Sequence, residues 1–504
     1  MSSFLARPTG GALVAFALSL VLYGLLLQPV PYGDGVLLLY ALEQRVASYH
    51  HISYLLSTRA FMDAAGWLGF DELRAAFAFS AFMAALGNAF LYLLVAERCR
   101  SALVRIATVA LVATAPSILF FGTTIENPAN HYGSVCLALW AVAKLVAQRH
   151  WVVRWLACLP ALLVPLSHAS GPMLLGCLLL LVITREGREP LFRGWWGPRG
   201  ERKLGRAMFF LLPSILLWWF DKPVRVALFG TDKVDQIEPG TGQLAMIFER
   251  GVDPSQLLPF VYHEWFLTAF GVWSLWLLAM LVLWLRERTS AWIALGAVGP
   301  YLLLFTLYQT WERGAYFLPI LPVAAWSLAR AGARIQPKRI LQALLALIAA
   351  ALVAGQLYFG QQRIQAHLDL PAAPWTWAND VQTATQAATQ DGKSRAHILC
   401  ADLFRGMHLI VDHDIDGILL KPWIGIWREA YTANPQPGTG PAAFAAQAIA
   451  HFHKLLETGP LYITDEMWNE LPKLVEGLQE AMDKTFVRSP IEQGLFRAQR
   501  LEAR

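Results

Sequence analysis

The chain has 504 residues, of which 56% are apolar and 15% charged, and its formal net charge is +5. Soluble proteins carry about 25% charged residues, and here apolar runs of about 15 to 25 residues, the length of bilayer spans, recur from Gly11 to Phe359. These features exclude a single soluble domain. They also exclude a nucleic-acid surface, which needs a dense basic stripe with interleaved aromatics.

The first apolar run, 11–28, follows the single cation Arg7, lacks a small-residue cleavage site and exceeds the usual core of a signal peptide. It is expected as a retained first helix. Further helices are expected over 73–95, 102–121, 131–147, 152–167, 170–184, 204–220, 265–285, 291–308, 315–329 and 340–358, about eleven in all. The shorter ones must tilt, break or lean on neighbours. Between the first two runs, Val36 to Val46 reads as an amphipathic stretch lying along the membrane surface.

After Gly360 the character changes. His397–Ala401, Gly417–Leu420 and Leu461–Thr464 read as strands, and Ala442–Leu456 and Trp468–Met482 as helices. Asn434–Pro441 is a Pro/Gly-rich loop. The expected fold class is a polytopic α-helical membrane protein, with residues 1–359 as the transmembrane domain and 360–504 as a small C-terminal α/β domain.

Lys and Arg of short loops stay on the cytoplasmic side. With the N-terminus inside, the inner loops hold Arg98, Arg100, Lys144, Arg149, Arg154, Arg286, Arg288, Arg330, Arg334, Lys338 and Arg339, whereas the short outer loops hold only Arg313. This bias predicts a cytoplasmic N-terminus and places loop 29–72, loop 221–264 and the C-terminal domain outside. The alanine- and leucine-rich composition points to a bacterial inner membrane and hence a periplasmic C-terminal domain. Cys99, Cys136, Cys158, Cys177 and Cys400 form no CxxC or paired framework and read as structural thiols.

Ionisable groups at a membrane face are costly and mark function. Asp34 stands between two glycines just after the first helix, as a carboxylate open to a ligand or as the cap of the helix that follows. Glu126 lies in the short outer loop Gly122–His131. With Asn130 it offers oxygen ligands to a hard divalent cation such as Mg or Mn, with Asp34 as a second carboxylate. Glu312 and Arg313 occupy the last short outer loop, where a guanidinium suits a phosphate or anchors at the interface. His50 and His51 point about 100° apart on a helix, which argues against joint metal binding and leaves one free to line a cavity. Lys222, Arg225, His263 and Glu264 flank the long outer loop. No GxxxxGK[ST], HExxH, GxSxG or kinase motif is present.

In this order the segments resemble the polyprenyl-phosphate-dependent glycosyltransferases of the C-type fold, a superfamily that includes protein O-mannosyltransferases and aminoarabinose transferases. Asp34 is followed by Ser48-Tyr49-His50-His51-Ile52-Ser53-Tyr54-Leu55-Leu56, which is similar to a His-Pro-Pro-Leu-Tyr segment of that group. Ile125-Glu126-Asn127-Pro128 resembles its acid-x-Pro segment, and Arg313-Gly314-Ala315-Tyr316-Phe317-Leu318-Pro319-Ile320-Leu321-Pro322 its Arg-Tyr-Leu-Leu-Pro-x-x-Pro segment. The resemblance covers residues 10 to 360. It implies inverting transfer of a sugar from a polyprenyl phosphate or pyrophosphate to a glycan, lipid or protein acceptor on the extracytoplasmic face. In that scheme Asp34 is the general base, Glu126 its assistant or a metal ligand, and Arg313 the partner of the leaving phosphate. Glu312, His50, His51, Lys222 and His263 would line the substrate site. A flippase or transporter of lipid-linked glycans, which should show repeated halves and midplane charges, and a membrane glycan ligase or acyltransferase are the competing readings.

Overall fold

The computed structural model describes residues 7–33, 35–43, 52–97, 99–145, 160–168, 171, 252–334, 339–369, 374–386, 389, 395–401, 409, 415–420, 424, 428 and 439–504. The chain is mostly helical and divides into two compact units, Met1–Leu368 and Asp369–Arg504. The expected helix 204–220, and that over 170–184 apart from Gly171, lie outside the described residues.

In the first unit, α1 (Pro8–Leu25) starts at a proline, whose missing N–H is one the first turn would leave unpaired anyway. Two helices precede the next span, α2 (Gly35–Glu43) and α3 (Ile52–Trp67). Val36, Leu38, Leu39, Ala41 and Leu42 of α2 are all buried. Arg59 of α3 donates to the carbonyls of Ala41 (2.5 Å) and Leu42 (3.4 Å). Next come α4 (Glu72–Ala96), capped by the Asp71 carboxylate, α5 (Ala102–Ala113), capped by Ser101, α6 (Pro116–Phe121) and α7 (Pro128–Leu145).

The predicted helix 102–121 is broken because Pro116 has no N–H to continue it. Ala115 turns its N–H to Val112 instead. The Leu111 carbonyl is met by Gln356 Nε2 at 2.7 Å.

α8 (Pro254–Phe260) passes through a π turn (Val261–Phe266) and a 3-10 turn (Leu267–Ala269) into α9 (Phe270–Arg286). The helix expected from residue 265 therefore begins earlier, through a segment whose His263 and Glu264 masked its apolar pattern. α10 (Arg288–Tyr308), a 3-10 turn (Ala315–Ile320), α11 (Leu321–Arg334) and α12 (Arg339–Leu368) complete the unit. Among the described residues, five helical stretches are long and apolar enough to cross a membrane: Pro8–Leu25, Arg74–Ala96, Pro254–Arg286, Arg288–Tyr308 and Ala343–Leu368.

Neutral polar side chains fasten these helices. Asn88 donates to Ser19 Oγ (3.0 Å) and Tyr23 Oη (2.7 Å) and accepts from Tyr132 Oη (2.8 Å), joining α1, α4 and α7. Tyr23 passes the network on to the Ala113 carbonyl of α5 at 2.8 Å. Gln356 on α12 reaches Leu111 and accepts from the Gly271 N–H of α9 at 3.0 Å. Between α9 and α10, burial opposes the charge of Glu287, but Arg330 and Arg334 outweigh it and hold the carboxyl below its usual range.

The second unit contains α13 (Pro374–Gln386), β1 (His397–Cys400), β2 (Asp416–Leu419), α14 (Pro441–Thr458), β3 (Leu461–Thr464), α15 (Asp465–Leu474), α16 (Leu478–Thr485), β4 (Phe486–Gln493) and β5 (Phe496–Ala503). The sheet order is β2-β1-β3-β5-β4, parallel across β2, β1 and β3 and antiparallel beyond. All three predicted strands are present. The helix read over 468–482 is two helices, split before Gly477.

His397 opens β1, buried, with Thr458 at 2.9 Å and Asp416 at 2.8 Å. Burial pulls its pKa below the ordinary 6.5, against Asp416, which acts to raise it. A depressed histidine favours the fold fully above its unfolded pKa and loses that contribution as pH falls below it. Hydrogen–deuterium exchange of the β1 and β3 peptides in the full chain, corrected for intrinsic rates, should accelerate between about pH 7.5 and about pH 5.5. His397→Asn should flatten that dependence.

Candidate active site

The segment after α1 is stitched to the segment after α6. The Gln28 N–H donates to the Thr123 carbonyl at 2.8 Å, and Gln28 Nε2 to the Phe120 carbonyl at 2.9 Å and Thr123 Oγ1 at 2.8 Å. Thr124 Oγ1 donates to the Val30 carbonyl at 3.2 Å. Asp34, His50, His51 and Lys222 lie outside the described residues. Gly35 is described, and its backbone lies so close to the Ile125 carbonyl that a Cβ there would collide with it. The residue after Asp34 thus abuts the residue before Glu126, although the two segments are far apart in sequence.

Behind Glu126 is a buried polar lattice. Asn127 Nδ2 donates to the Ser167 carbonyl at 2.6 Å, and Asn130 Nδ2 to Ser53 Oγ and Asn127 Oδ1, both at 3.3 Å. Ser167 Oγ donates to the Val164 carbonyl, so it accepts from His131 Nδ1 at 2.6 Å, which fixes that proton. His131 therefore serves as a structural partner here.

Arg313 occupies the turn between α10 and the 3-10 helix. Its guanidinium lies over the ring of Phe120 at 4.5 Å and of Tyr32 at 5.2 Å, an arrangement that stabilises a desolvated cation. Its Nη1 donates to the Arg363 carbonyl at 2.8 Å, and Arg363 Nη1 returns the bond to the Arg313 carbonyl at 3.4 Å. His367, one turn beyond Arg363 on α12, packs its ring against Tyr32 and Phe120. Burial pulls the Arg313 pKa down, with Tyr32 and Glu264 acting against it; a guanidinium remains charged regardless. Among the described residues no carboxylate forms an ion pair with it.

The Tyr32 hydroxyl reports the local field. Its pKa is pushed up to about 12, by burial first; Arg313 pulls it down, and Glu312, Glu264 and Glu126 push it further up. Glu126, Glu312 and Arg313, each selected from sequence, therefore share one neighbourhood. Glu312 contributes backbone bonds as well, its N–H to the Thr310 carbonyl and its carbonyl to the Ala315 N–H. The His263 imidazole is exposed and meets Tyr262 edge-on and Trp311 at a tilt. Its carbonyl joins the cluster by accepting from Arg363 Nη2 at 3.2 Å.

Sequence reasoning left Tyr32, Phe120, Arg363 and His367 out of the site. The available signal was the i, i+4 pair Arg363–His367 at the polar end of an apolar helix, on one face. Among the described residues, no group of three His, Cys, Asp or Glu side chains gathers as metal ligands.

Long apolar helices whose connecting turns converge on a half-buried cation describe a membrane protein with a polar site at its helix ends. No protein-family model and no curated protein sequence matches the chain. Its fold is similar to that of ArnT from Cupriavidus metallidurans. The crystal structure bound to undecaprenyl phosphate gives a TM-score of 0.58 and the apo structure 0.56, each at 12% identity and covering 98% of both chains. The Archaeoglobus fulgidus oligosaccharyltransferase, in complex with Zn and sulfate, gives a TM-score of 0.48 at 12% identity, covering 96% of this chain and 72% of that one. The chain has the C-type glycosyltransferase fold that its sequence motifs imply.

The Gly35–Ile125 approach yields a direct test. Gly35→Ala should destabilise the protein by about 1 to 3 kcal/mol through overpacking against backbone that cannot yield. Gly24→Ala, in α1 with open space around it, should be neutral or stabilising by up to about 1 kcal/mol. Thermal unfolding in detergent compares the two.

Proposed function

We propose that the chain is an integral membrane glycosyltransferase that moves a sugar from a polyprenyl phosphate or pyrophosphate to a glycan, lipid or protein acceptor. The observation that carries this reading is Arg313, a half-buried guanidinium on an aromatic platform with no ion-paired carboxylate among the described residues. It belongs to a chain that shares its fold with a protein crystallised with undecaprenyl phosphate.

On this reading the acceptor oxygen or nitrogen attacks the anomeric carbon, and the bond from that carbon to the phosphate oxygen breaks. The electron pair leaves on the phosphate and the configuration inverts. Asp34 takes the acceptor proton. Arg313 stabilises the charge growing on the leaving phosphate, and a low-dielectric setting strengthens that effect. Glu126 orients Asp34 or shares with it a hard cation, Mg or Mn. The close approach of the loops that carry the two carboxylates suits such a cation, which would bind the donor phosphate or the acceptor oxygen when present. His50, His51, Lys222 and Glu312 line the substrate path.

The Lys and Arg distribution supports a cytoplasmic N-terminus, an extracytoplasmic site and a periplasmic second unit in a bacterial inner membrane. About eleven spans and a division into 1–359 and 360–504 complete the scheme, with the α/β unit as an accessory for acceptor recognition.

The test is transfer by purified protein from a panel of radiolabelled polyprenyl-phosphate sugars. Wild type should turn over, and Asp34→Asn should lose about 10² to 10⁴ of the rate as expected for removing a general base. Arg313→Ala should lose about 10² or more, the scale for an electrostatic clamp. Stimulation by Mg or Mn after chelation would support the shared-cation form. Absence of turnover with every donor would overturn the transferase reading in favour of a flippase or ligase.

A further inference from the structure

We infer that Glu264 is a positioning residue for the donor-phosphate site: its carboxylate holds the turn that carries Arg313 and so keeps the guanidinium available to an incoming anion. The inference rests on the transferase reading, because it assigns the guanidinium to a phosphate.

Glu264 is 5% exposed and sits in the π turn Val261–Phe266, inside the long apolar stretch Pro254–Arg286. A buried carboxylate in such a helix is costly unless its oxygens are occupied. Here Oε2 is occupied by backbone. The Gly314 N–H donates to Oε2 at 2.5 Å. Arg313 directly precedes this donor.

The turn they define is a strained one. Arg313 has φ of 53° and Gly314 φ of 81°, both left-handed. That region disfavours an arginine and persists only where the surroundings enforce it. Three contacts do so here. Glu264 takes the Gly314 amide, immediately after Arg313. Arg363 takes the Arg313 carbonyl and, through its other nitrogen, the His263 carbonyl. Thr268 packs on Gly314 so closely that any Cβ would collide with its side chain. Thr268 is itself fixed, donating to the Glu264 and Trp265 carbonyls at 2.8 Å.

Glu264 could have paired with Arg313 directly, and a bidentate pair would have filled the guanidinium fork. An arriving phosphate would then compete with an internal carboxylate. Binding a backbone amide instead, Glu264 supplies compensating negative charge nearby while the fork is turned onto Phe120 and Tyr32. A π turn moves the residues after it out of α-helical register, and such turns concentrate at functional sites; this one sets Glu264 opposite the Arg313 turn.

The test is a double-mutant cycle read by binding and by turnover. Affinity for undecaprenyl phosphate is measured in detergent for wild type, Glu264→Ala, Glu264→Gln, Arg313→Ala and Glu264→Ala/Arg313→Ala, with thermal stability recorded for each. Glu264→Ala should weaken binding about tenfold or more, the scale of losing hydrogen bonds to a charged group. Glu264→Gln keeps an acceptor for the Gly314 N–H and should restore most of that loss. In the Arg313→Ala background, removal of Glu264 should change affinity by less than about twofold, because the two act as a unit. A donor effect concentrated in KM and absent for the acceptor would agree.

Equal losses from Glu264→Ala with and without Arg313 would reduce Glu264 to general stabilisation and overturn the inference. So would wild-type affinity in Glu264→Ala. If wild type itself fails to bind undecaprenyl phosphate, it is the transferase reading that fails, a result distinct from either of these.

Discussion

A guanidinium cannot shed its proton when moved out of water, so the chain around Arg313 has to stabilise a permanent charge. The apolar bundle supplies ring faces and carbonyl oxygens. Phe120 and Tyr32 present their faces, and the Arg363 carbonyl accepts one N–H. Each of these belongs to a different element. Tyr32 follows α1, Phe120 ends α6, and Arg363 lies in the last turns of α12. Satisfying one cation therefore requires that the ends of α1, α6, α10 and α12 meet in space. The loop carrying Glu126 is drawn into the same neighbourhood through the bonds of Gln28 and Thr124.

Helix ends can meet only if the helices keep a fixed axial register, and apolar contacts alone set register poorly. Inside a membrane, lipid competes equally well for apolar surface, and hydrogen bonds between helices are directional. Asn88 fixes α4 against α1 and α7, and Gln356 fixes α12 against α5 and α9. The second depends on Pro116. That proline ends α5 and exposes the Leu111 carbonyl, and Gln356 satisfies it. A sequence feature that looks like a helix defect is thus the acceptor that sets the height of α12, and with it the height of Arg363.

Much of this was legible in the sequence, for a physical reason. Apolar runs of membrane length have no cheap alternative to a helix, so the spans around 11–28, 73–95, 291–308 and 340–358 could be read directly. Asp34, Glu126 and Arg313 stood out because charges at the ends of such runs are costly and few. The aromatic half of the cluster was not legible. Tyr32 and Phe120 have the composition of ordinary interfacial and core residues, and only convergence from distant segments turns them into a cation platform. Arg363 and His367 read as the polar start of the second unit, because helix α12 outruns its apolar pattern. In the second unit, β4 is mostly exposed and carries Pro490, so it lacks the alternation that marks a half-buried strand. Its pairing with β5 emerges only from the structure.

The placement of charge also bears on which membrane chemistry suits the fold. Among the described residues of the first unit, two ionised clusters stand out. Glu287, Arg330 and Arg334 gather where α9 meets α10, and Glu264, Arg313 and Arg363 gather where α10 ends. α10 has 21 residues, and at 1.5 Å per residue it separates these levels by about 30 Å, the thickness of a hydrocarbon core. Between them, Asn88 and Gln356 are polar but neutral. A carrier that moves a phosphate across the membrane needs groups that bind the substrate midway, in two alternating states. A transferase needs the reverse: a cation fixed near one face, rigid enough to be aimed, with the apolar bundle free to hold a lipid tail. The left-handed turn at Arg313, clamped from three sides, has the rigidity that aiming demands and that alternating access would have to give up.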